Sequence, residues 1–118
     1  MNIGYIRISS KDQNPQRQIE PIQSLTEKQY IDTQSGKDTN RPKLQEMLLF
    51  ARKGDLIIVE SISRFARNTK DLLELIEQLN QKEVGFKSLK ENIDTTTPQG
   101  KFMVTVFGAM AELERDYI

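Results

Sequence analysis

Apolar runs of strand length alternate with segments of helical periodicity along most of the chain. Residues 1–8 are rich in β-branched and aromatic side chains, which favour strands, and similar short runs recur further along. Between them, apolar residues three and four apart follow capping residues or prolines and predict helices. The pattern predicts an opening strand and turn within residues 1–13, further strands near 28–32, 55–60 and 84–89, and helices near 15–25, 41–53, 68–79 and 98–118.

This alternation indicates an α/β fold. Strands separated by helices pair in parallel and carry the helices on the faces of the sheet. We therefore expect a mostly parallel central sheet of four to five strands flanked by helices, followed by a long C-terminal helix. Pro21 lies inside the first predicted helix, whose positions Ile19, Ile22 and Leu25 would face inward. Because proline removes a hydrogen bond and clashes with the preceding turn, we expect a kink or an early end there.

The last predicted helix begins at Pro98, with Thr97 as its cap, and is apolar on nearly all sides. A helix of this kind is covered on most sides. We infer that it forms a subunit interface, and the alternative is burial within the core of the chain. The pattern continues to Tyr117-Ile118 without a stop signal, so we expect a fragment of a longer protein. The apolar positions are Phe102, Met103, Val104, Val106, Phe107, Met110, Ala111, Leu113 and Tyr117.

Composition narrows the chemistry. A chain of 118 residues is most simply one domain, spanning 1–118. Cysteine and histidine are both absent, which excludes thiol chemistry and a Ser-His-Asp mechanism and makes a zinc site improbable, so no metal is expected. There is no apolar run long enough for a membrane span and no leader-like start, so we expect a cytoplasmic protein.

The charges balance overall but are unevenly spread. Residues 1–70 hold twelve Lys and Arg against eight Asp and Glu, whereas residues 71–118 hold five against nine. The first part can therefore present a basic face. The zero net charge lacks the strongly basic character of a dedicated DNA-binding domain, so composition alone does not indicate nucleic acid.

The opening strand ends with an arginine and a serine on one face. Arg7 and Ser9 are two residues apart, and alternate residues of a strand point to the same side. Ligand crevices of open α/β sheets lie at the carboxyl ends of strands. The pair would suit a serine that attacks a phosphorus whose oxygens are held by arginine. The alternative is a helix-capping serine beside a surface arginine.

Further arginines follow the next elements. Arg64 and Arg67 come directly after the apolar run 55–60, and Arg41 opens a helix next to a polar loop. The planar guanidinium binds phosphate through two parallel hydrogen bonds, and several arginines can stabilise a phosphodiester displacement without a metal. The alternative is that each pairs with a surface carboxylate. With no histidine, the proton of a nucleophilic serine would pass to an arginine, a carboxylate or the substrate.

The motif Tyr5-Ile6-Arg7-Ile8-Ser9-Ser10-x-x-Gln13 resembles the opening motif of the serine site-specific recombinases, the resolvase/invertase family. The resemblance continues in the family's order and spacing over essentially all 118 residues. Its further elements are Gln18, Gln34-Ser35-Gly36 with Arg41-Pro42, Gly54-Asp55, Ser63-Arg64-Phe65-Ala66-Arg67-Asn68, Gly100-Lys101 and Ala111-Glu112-Leu113-Glu114-Arg115.

The resemblance implies roles for individual residues. Ser9 would be the nucleophile, forming a 5′-phosphoseryl link to DNA and releasing a 3′-hydroxyl. The remaining members of the implied site would surround the scissile phosphate or lie near the interface. Arg7, Arg64 and Arg67 would hold the phosphate, Arg41 would assist, Gln13, Gln18 and Ser35 would complete the polar shell, and Glu114-Arg115 would lie near the subunit interface and the DNA.

The resemblance also implies partners. The substrate would be double-stranded DNA at a crossover site, and the protein would associate to a dimer and a synaptic tetramer through its last helix, exchanging strands by subunit rotation. Because the phosphoseryl bond conserves the energy of the phosphodiester, no nucleotide cofactor would be needed. The setting would be a bacterial cytoplasm, in association with the nucleoid. The separate C-terminal DNA-binding domain of the family is absent from this chain, so we expect weak, unselective DNA binding.

Two departures from the family's pattern leave an alternative function open. Ser63 stands where many family members carry Asp, and the adjacent Ser9 and Ser10 raise the question of which one attacks, although strand parity favours Ser9. The alternative function is a non-catalytic, dimerising module of the same fold that contacts DNA or phosphate. A small nucleotide-binding domain is disfavoured because neither glycine-rich phosphate motif follows the first strand.

Overall fold

The computed structural model describes residues 1–34 and 40–117, with side chains in the last helix described up to Met110 except at 107 and 108. Strands and helices alternate from the first residue onward, as the apolar pattern predicts. In chain order they are β1 (Asn2–Ser9), α1 (Gln16–Gln23), β2 (Lys28–Gln34), α2 (Pro42–Phe50), β3 (Leu56–Val59), a 3₁₀ turn (Ile62–Arg64), α3 (Thr69–Gln81), β4 (Gly85–Ser88), β5 (Ile93–Asp94) and α4 (Pro98–Tyr117).

The strands form one five-stranded sheet in the order β2-β1-β3-β4-β5. The first four strands are parallel, and only the two-residue β5 pairs antiparallel, with β4. The predicted α/β fold with a mostly parallel sheet is therefore confirmed. The chain leaves β1 in one direction to form β2 and returns to its other side to form β3, so the order of strands reverses at β1. A reversal of this kind opens a crevice at the carboxyl ends of the strands.

The register leaves the second half of β1 partly uncovered. β1 pairs with β2 from Ile3 to Ser9, but with β3 only over residues 2–4. Arg7 and Ser9 therefore have a strand neighbour on one side only. The segment that follows β3, residues 61–68, lies on the other side.

Helices cover both faces of the sheet. Ile3 and Tyr5 of β1 belong to the larger apolar cluster, which includes the buried side chains of α2 and α3. Ile6 belongs to a smaller cluster with Ile22 of α1 and Ile58 of β3. A Cβ atom on Gly4 would lie 2.3 Å from Cγ2 of Ile22, so glycine at this position allows α1 to pack closely against the strand. Strand parity places Arg7 and Ser9 on the same face as Ile3 and Tyr5.

Helix α1 ends earlier than the helical spacing of its apolar residues predicts. It runs through Pro21 and ends two residues later, at Gln23. Ile22 is fully buried, but Leu25 is 46% exposed, so its predicted inward position is wrong. The helix has already ended at Leu25, and helical spacing no longer decides which way that side chain points.

Helix α4 begins as predicted, with the Gly100 N–H donating to Oγ1 of Thr97 at 3.0 Å. Val104 packs against the core, but Phe102 is 66% and Met110 50% exposed, and Met103 is exposed as well. The described part of α4 is thus not enclosed by the chain, and its role in pairing subunits stays a prediction. None of the helices in the described residues is long and apolar enough to span a membrane.

Candidate active site at the carboxyl end of strand β1

Arg7 reaches from β1 across the gap left by β3. Its side chain is half-buried, and Nη2 donates a hydrogen bond to the backbone carbonyl of Ser63 in the 3₁₀ turn. Ser63 therefore contributes its main chain to the site, while its hydroxyl lies 3.1 Å from that of Ser61. The contact holds the turn that carries Arg64 against the end of the strand.

The electrostatics of Arg7 indicate a cluster of positive charge. Burial lowers the pKa of Arg7 below its ordinary value, and the charges of Arg64, Arg41 and Arg67 lower it further, while Tyr5 acts in the opposite direction. Arg7 is thus close enough to Arg41, Arg64 and Arg67, which come from two other segments, for their charges to oppose its own. An anion among them would relieve this repulsion, which is the property expected of a phosphate site.

Arg41 is the most enclosed of the four. Its Nη1 lies 3.0 Å from Oδ2 of Asp71 and donates to the Phe65 carbonyl at 3.0 Å, and Nη2 donates to Oδ1 of Asp71 at 3.3 Å. Its Nε is buried and has no hydrogen-bond partner among the described residues. The pairing matches the alternative that an arginine in this set binds a carboxylate. In the structure, Arg41 fastens the segment after β3 to the first turn of α3.

Asp71 also holds the end of the segment between β3 and α3. Its Oδ2 accepts the Arg67 N–H at 2.9 Å, and its own N–H donates to Oδ1 of Asn68, which caps α3. Burial alone would raise the pKa of Asp71, but the hydrogen bonds from Arg41 and the Arg67 backbone outweigh it and hold that pKa below its ordinary value. The carboxylate therefore remains ionised at neutral pH.

Arg67 and Arg7 line a cavity of about 430 Å³. The Arg67 side chain is exposed, and that of Arg64 is half-buried on the preceding turn. The spacing of three predicts that these two arginines share a helical face. Only residues 62–64 of this segment are helical, so Arg64 and Arg67 do not lie on a common helix. The charges of both nevertheless act on Arg7.

Ser9 is the last residue of β1 and begins a tight turn that extends to Asp12. Its N–H donates to Oδ2 of Asp12 at 2.9 Å, and its Oγ accepts the Lys11 N–H at 3.2 Å. A backbone donor on Oγ stabilises negative charge that develops on the oxygen. Ser10 is exposed, and its N–H donates to the Gln34 carbonyl, which completes the β1–β2 ladder.

The predicted polar shell is only partly assembled. Nε2 of Gln18 donates to Oδ2 of Asp12 at 3.2 Å, which links Gln18 to the turn that begins at Ser9. Its Oε1 is buried and accepts no hydrogen bond from the part of the chain that the structure describes. Gln13 is exposed and forms no hydrogen bond to any described residue. Ser35 lies outside the described residues. Glu114 and Arg115 lie on α4, where their side chains are not described.

Several carboxylates at the site were missed by reasoning from the sequence. Asp32, a buried residue of the edge strand β2, accepts the Tyr5 hydroxyl at 2.8 Å and the N–H groups of Lys43 and Leu44 at 3.0 and 3.1 Å. It thereby caps α2, which has no side-chain cap of its own, and burial together with Asp32 raises the pKa of Tyr5. An acidic residue two positions after Tyr30, on the inward face of the strand, was the available signal. No group of three or more Asp and Glu among the described residues is placed to share a metal ion.

The chain matches known proteins over nearly its whole length. A family model described as "Resolvase, N terminal domain" matches residues 2–118. The transposon Tn501 resolvase of Pseudomonas aeruginosa is 46% identical over 119 residues, and a DNA-invertase of Enterobacteria phage P7 is 40% identical. These alignments cover 98% and 100% of this chain, but 63% and 64% of the two relatives. The chain thus spans less than two thirds of their length.

The fold has solved counterparts. The crystal structure of the N-terminal catalytic domain of TP901-1 integrase superposes with a TM-score of 0.81 at 25% identity, covering 99% of this chain and 98% of that one. The resemblance predicted from Arg7, Ser9 and the arginine motifs is confirmed at the level of the family. This chain belongs to the resolvase family, whose N-terminal domain it spans from residue 2 to residue 118.

Proposed function

We propose that this chain is the catalytic domain of a serine site-specific recombinase of the resolvase/invertase type that cleaves and rejoins double-stranded DNA at a crossover site. The observation that carries the proposal is that Arg7, two residues before Ser9 on β1, lines a cavity together with Arg67 and lies close enough to Arg64 for their charges to oppose each other. Membership of the resolvase family supports the reaction type. The names of the relatives, a resolvase and a DNA-invertase, support DNA as the substrate.

In the proposed reaction, Oγ of Ser9 attacks the scissile phosphorus. A bond forms between that oxygen and phosphorus, and the bond from phosphorus to the 3′ oxygen breaks. The 3′ oxygen gains a proton, which balances the proton lost by the serine. The products are a 5′-phosphoseryl enzyme and a free 3′-hydroxyl. The reverse step rejoins the strands, and because one phosphodiester is exchanged for another, the scheme requires no ATP. The arginines stabilise the charge on the phosphate in this scheme without a metal.

The arginines supply the electrostatic part of catalysis. Charge on the non-bridging oxygens shifts in the transition state, and preorganised donors aimed at them are the largest usual contribution to rate. We assign this role to Arg7, Arg64 and Arg67. Arg41, enclosed by Asp71 and the Phe65 carbonyl, holds the segment that carries them. Asp12 orients the nucleophile through the Ser9 N–H and connects it to Gln18.

Strand exchange requires more than one subunit, and helix α4 offers the surface for it. The exposed Phe102, Met103 and Met110 would be covered by a second copy of the chain, with Glu114 and Arg115 further along the same helix. We propose a dimer that joins a second dimer on synapsed DNA.

The test is to trap the covalent intermediate. The full-length parent protein is incubated with its crossover-site DNA, digested, and analysed by mass spectrometry for a nucleotide attached to a peptide. We expect an adduct on Ser9 that is lost in Ser9→Ala and retained in Ser10→Ala. Charge reversal in Arg64→Glu or Arg67→Glu should abolish cleavage without unfolding the domain.

Two results would overturn the assignment. Cleavage at the wild-type rate by either arginine variant would show that the site is misplaced. Absence of an adduct under conditions where DNA binding is demonstrated would favour the non-catalytic module. In that case Ser63→Asp, which restores the residue common in the family, is the next variant to measure.

A further inference from the structure

Glu91, in the turn between β4 and β5, joins two parts of the fold through one oxygen atom. Its Oε1 accepts the Ile62 N–H at 3.1 Å and the hydroxyl hydrogen of Ser88. Ser88 is fully buried at the end of β4, and Ile62 is the first residue of the 3₁₀ turn after β3. A carboxylate on one strand connection thus holds the beginning of another.

The turn held by Glu91 contributes to the arginine cluster, which consists of Arg7, Arg41, Arg64 and Arg67. Its second residue, Ser63, offers the carbonyl that receives Arg7, and its third residue is Arg64. At the far end of the same segment, Asp71 accepts the Arg67 N–H and pairs with Arg41. Residues 61–68 are therefore fixed by a carboxylate at each end, and a displacement at Ile62 would move both Ser63 and Arg64.

Glu91 also lines the 430 Å³ cavity together with Arg7 and Arg67. A negative charge at the wall of a phosphate site weakens binding of the phosphate, so its charge would not improve affinity for DNA. Its contribution must come from the hydrogen bonds that it accepts. Those bonds need an oxygen acceptor at this position and do not need a formal charge.

We propose that Glu91 is a positioning residue for strand cleavage, which holds the 62–64 turn so that Arg7 and Arg64 meet the scissile phosphate together. The inference rests on the proposed function. Errors of about 1 Å in the placement of catalytic groups can cost on the order of a hundredfold in rate. The loss of this contact should therefore lower the cleavage rate and leave the DNA affinity unchanged or slightly higher.

The test compares two substitutions that share the loss of charge. Glu91→Gln keeps an oxygen that can accept both hydrogen bonds, whereas Glu91→Ala removes it. In the full-length parent, formation of the covalent adduct is timed in a single turnover at saturating crossover-site DNA, and the dissociation constant is measured separately. We expect Glu91→Ala to be slower by about tenfold to a hundredfold and Glu91→Gln to stay within about threefold of wild type. Glu60→Ala, an exposed carboxylate just before the same segment, is the matched control.

Hydrogen exchange separates this inference from the proposed function. The amide of Ile62 should exchange faster in Glu91→Ala and remain protected in Glu91→Gln, whether or not the protein cleaves DNA. Wild-type cleavage by Glu91→Ala, or an equal rate loss in both variants, would overturn the positioning role. If the wild-type protein forms no adduct while Ile62 shows the expected exchange pattern, the proposed function fails and the contact itself stands. Thermal unfolding of each variant confirms that rates are compared between folded proteins.

Discussion

At the scale of single residues, the ion pair of Arg41 and Asp71 is largely buried and constrains the segment after β3. The exposed fractions of the two side chains are 7% and 19%, so both charges are largely removed from water. Desolvation offsets much of the attraction within such a pair, but the removal of one partner leaves the other charge buried and uncompensated. The pair is therefore more important as a constraint on the segment after β3 than as a net source of stability.

Asp71→Ala should lower the free energy of unfolding by about 3 kcal/mol, because Arg41 would remain buried without its counter-charge. The measurement is denaturant unfolding at pH 7. Glu74→Ala, which removes an exposed carboxylate one turn further along α3, is the control and should change stability by less than about 0.5 kcal/mol. Equal effects of the two substitutions would contradict the role of the pair.

The same carboxylate predicts an acid dependence. The pKa of Asp71 lies below its ordinary value, so the folded state favours the ionised form. This contribution is complete above the unfolded value of about 3.9 and is lost as pH falls through the lower pKa of the folded state. The difference in unfolding free energy between wild type and Asp71→Asn should therefore be constant from pH 7 to about 5 and shrink below about pH 4. A difference that grows on acidification would contradict this sign.

Reasoning from the sequence located the cations of the site better than their partners. Strand parity placed Arg7 and Ser9 on one face, and the structure agrees. It did not identify Asp71, Glu91 or Asp32, because each bonds to a residue distant along the chain and no local pattern relates the two. The Ser63 carbonyl was also unforeseeable, since every residue type offers the same atom.

At the scale of elements, the length of each helix or strand decided whether the apolar pattern could locate it. The longer helices and the strands with several apolar residues were found near their observed positions. The two-residue β5 was not located, because Ile93 and Asp94 are too few to show alternation. Helix α1 runs through Pro21 and ends at Gln23, although the helical spacing of its apolar residues continues to Leu25.

The start of α4 depends on a close approach at Gly100. A Cβ atom there would lie 1.8 Å from the Asp94 carbonyl oxygen and 2.9 Å from the Thr95 nitrogen, both in the backbone. Neither atom can move without displacing β5 or the helix. Gly100→Ala should therefore destabilise the fold by about 1–3 kcal/mol, although alanine is the better helix former.

Thermal or denaturant unfolding checks this expectation. Gln99→Ala, at an exposed neighbouring position of the same turn, provides the control and should leave stability unchanged or slightly higher. A stabilising effect of Gly100→Ala would show that α4 does not sit as closely on Asp94 as described.

At the scale of the whole molecule, the order of the sheet explains where the site lies. β2 and β3 lie on opposite sides of β1, and the arginines lie near the carboxyl end of β1, between these two neighbours. This position follows from topology, so a correct strand order would have sufficed to predict it. What the pattern could not supply was the register, in which β3 stops short and leaves room for residues 61–68 beside Arg7.

The arginine cluster sits in a chain of zero net charge, and this has a consequence for counterions. Without an overall positive field, attraction to DNA depends on the phosphates that the protein neutralises, and each neutralised phosphate releases about 0.9 condensed cations. In the proposed site Arg7, Arg64 and Arg67 hold one scissile phosphate, so titration of this chain with duplex DNA at several salt concentrations should give a slope of log affinity against log salt of about −1. A twofold rise in salt would then weaken binding about twofold. A slope near zero would mean that the arginines do not meet the phosphate backbone, whereas a much steeper slope would mean that other cations of the chain share the contact.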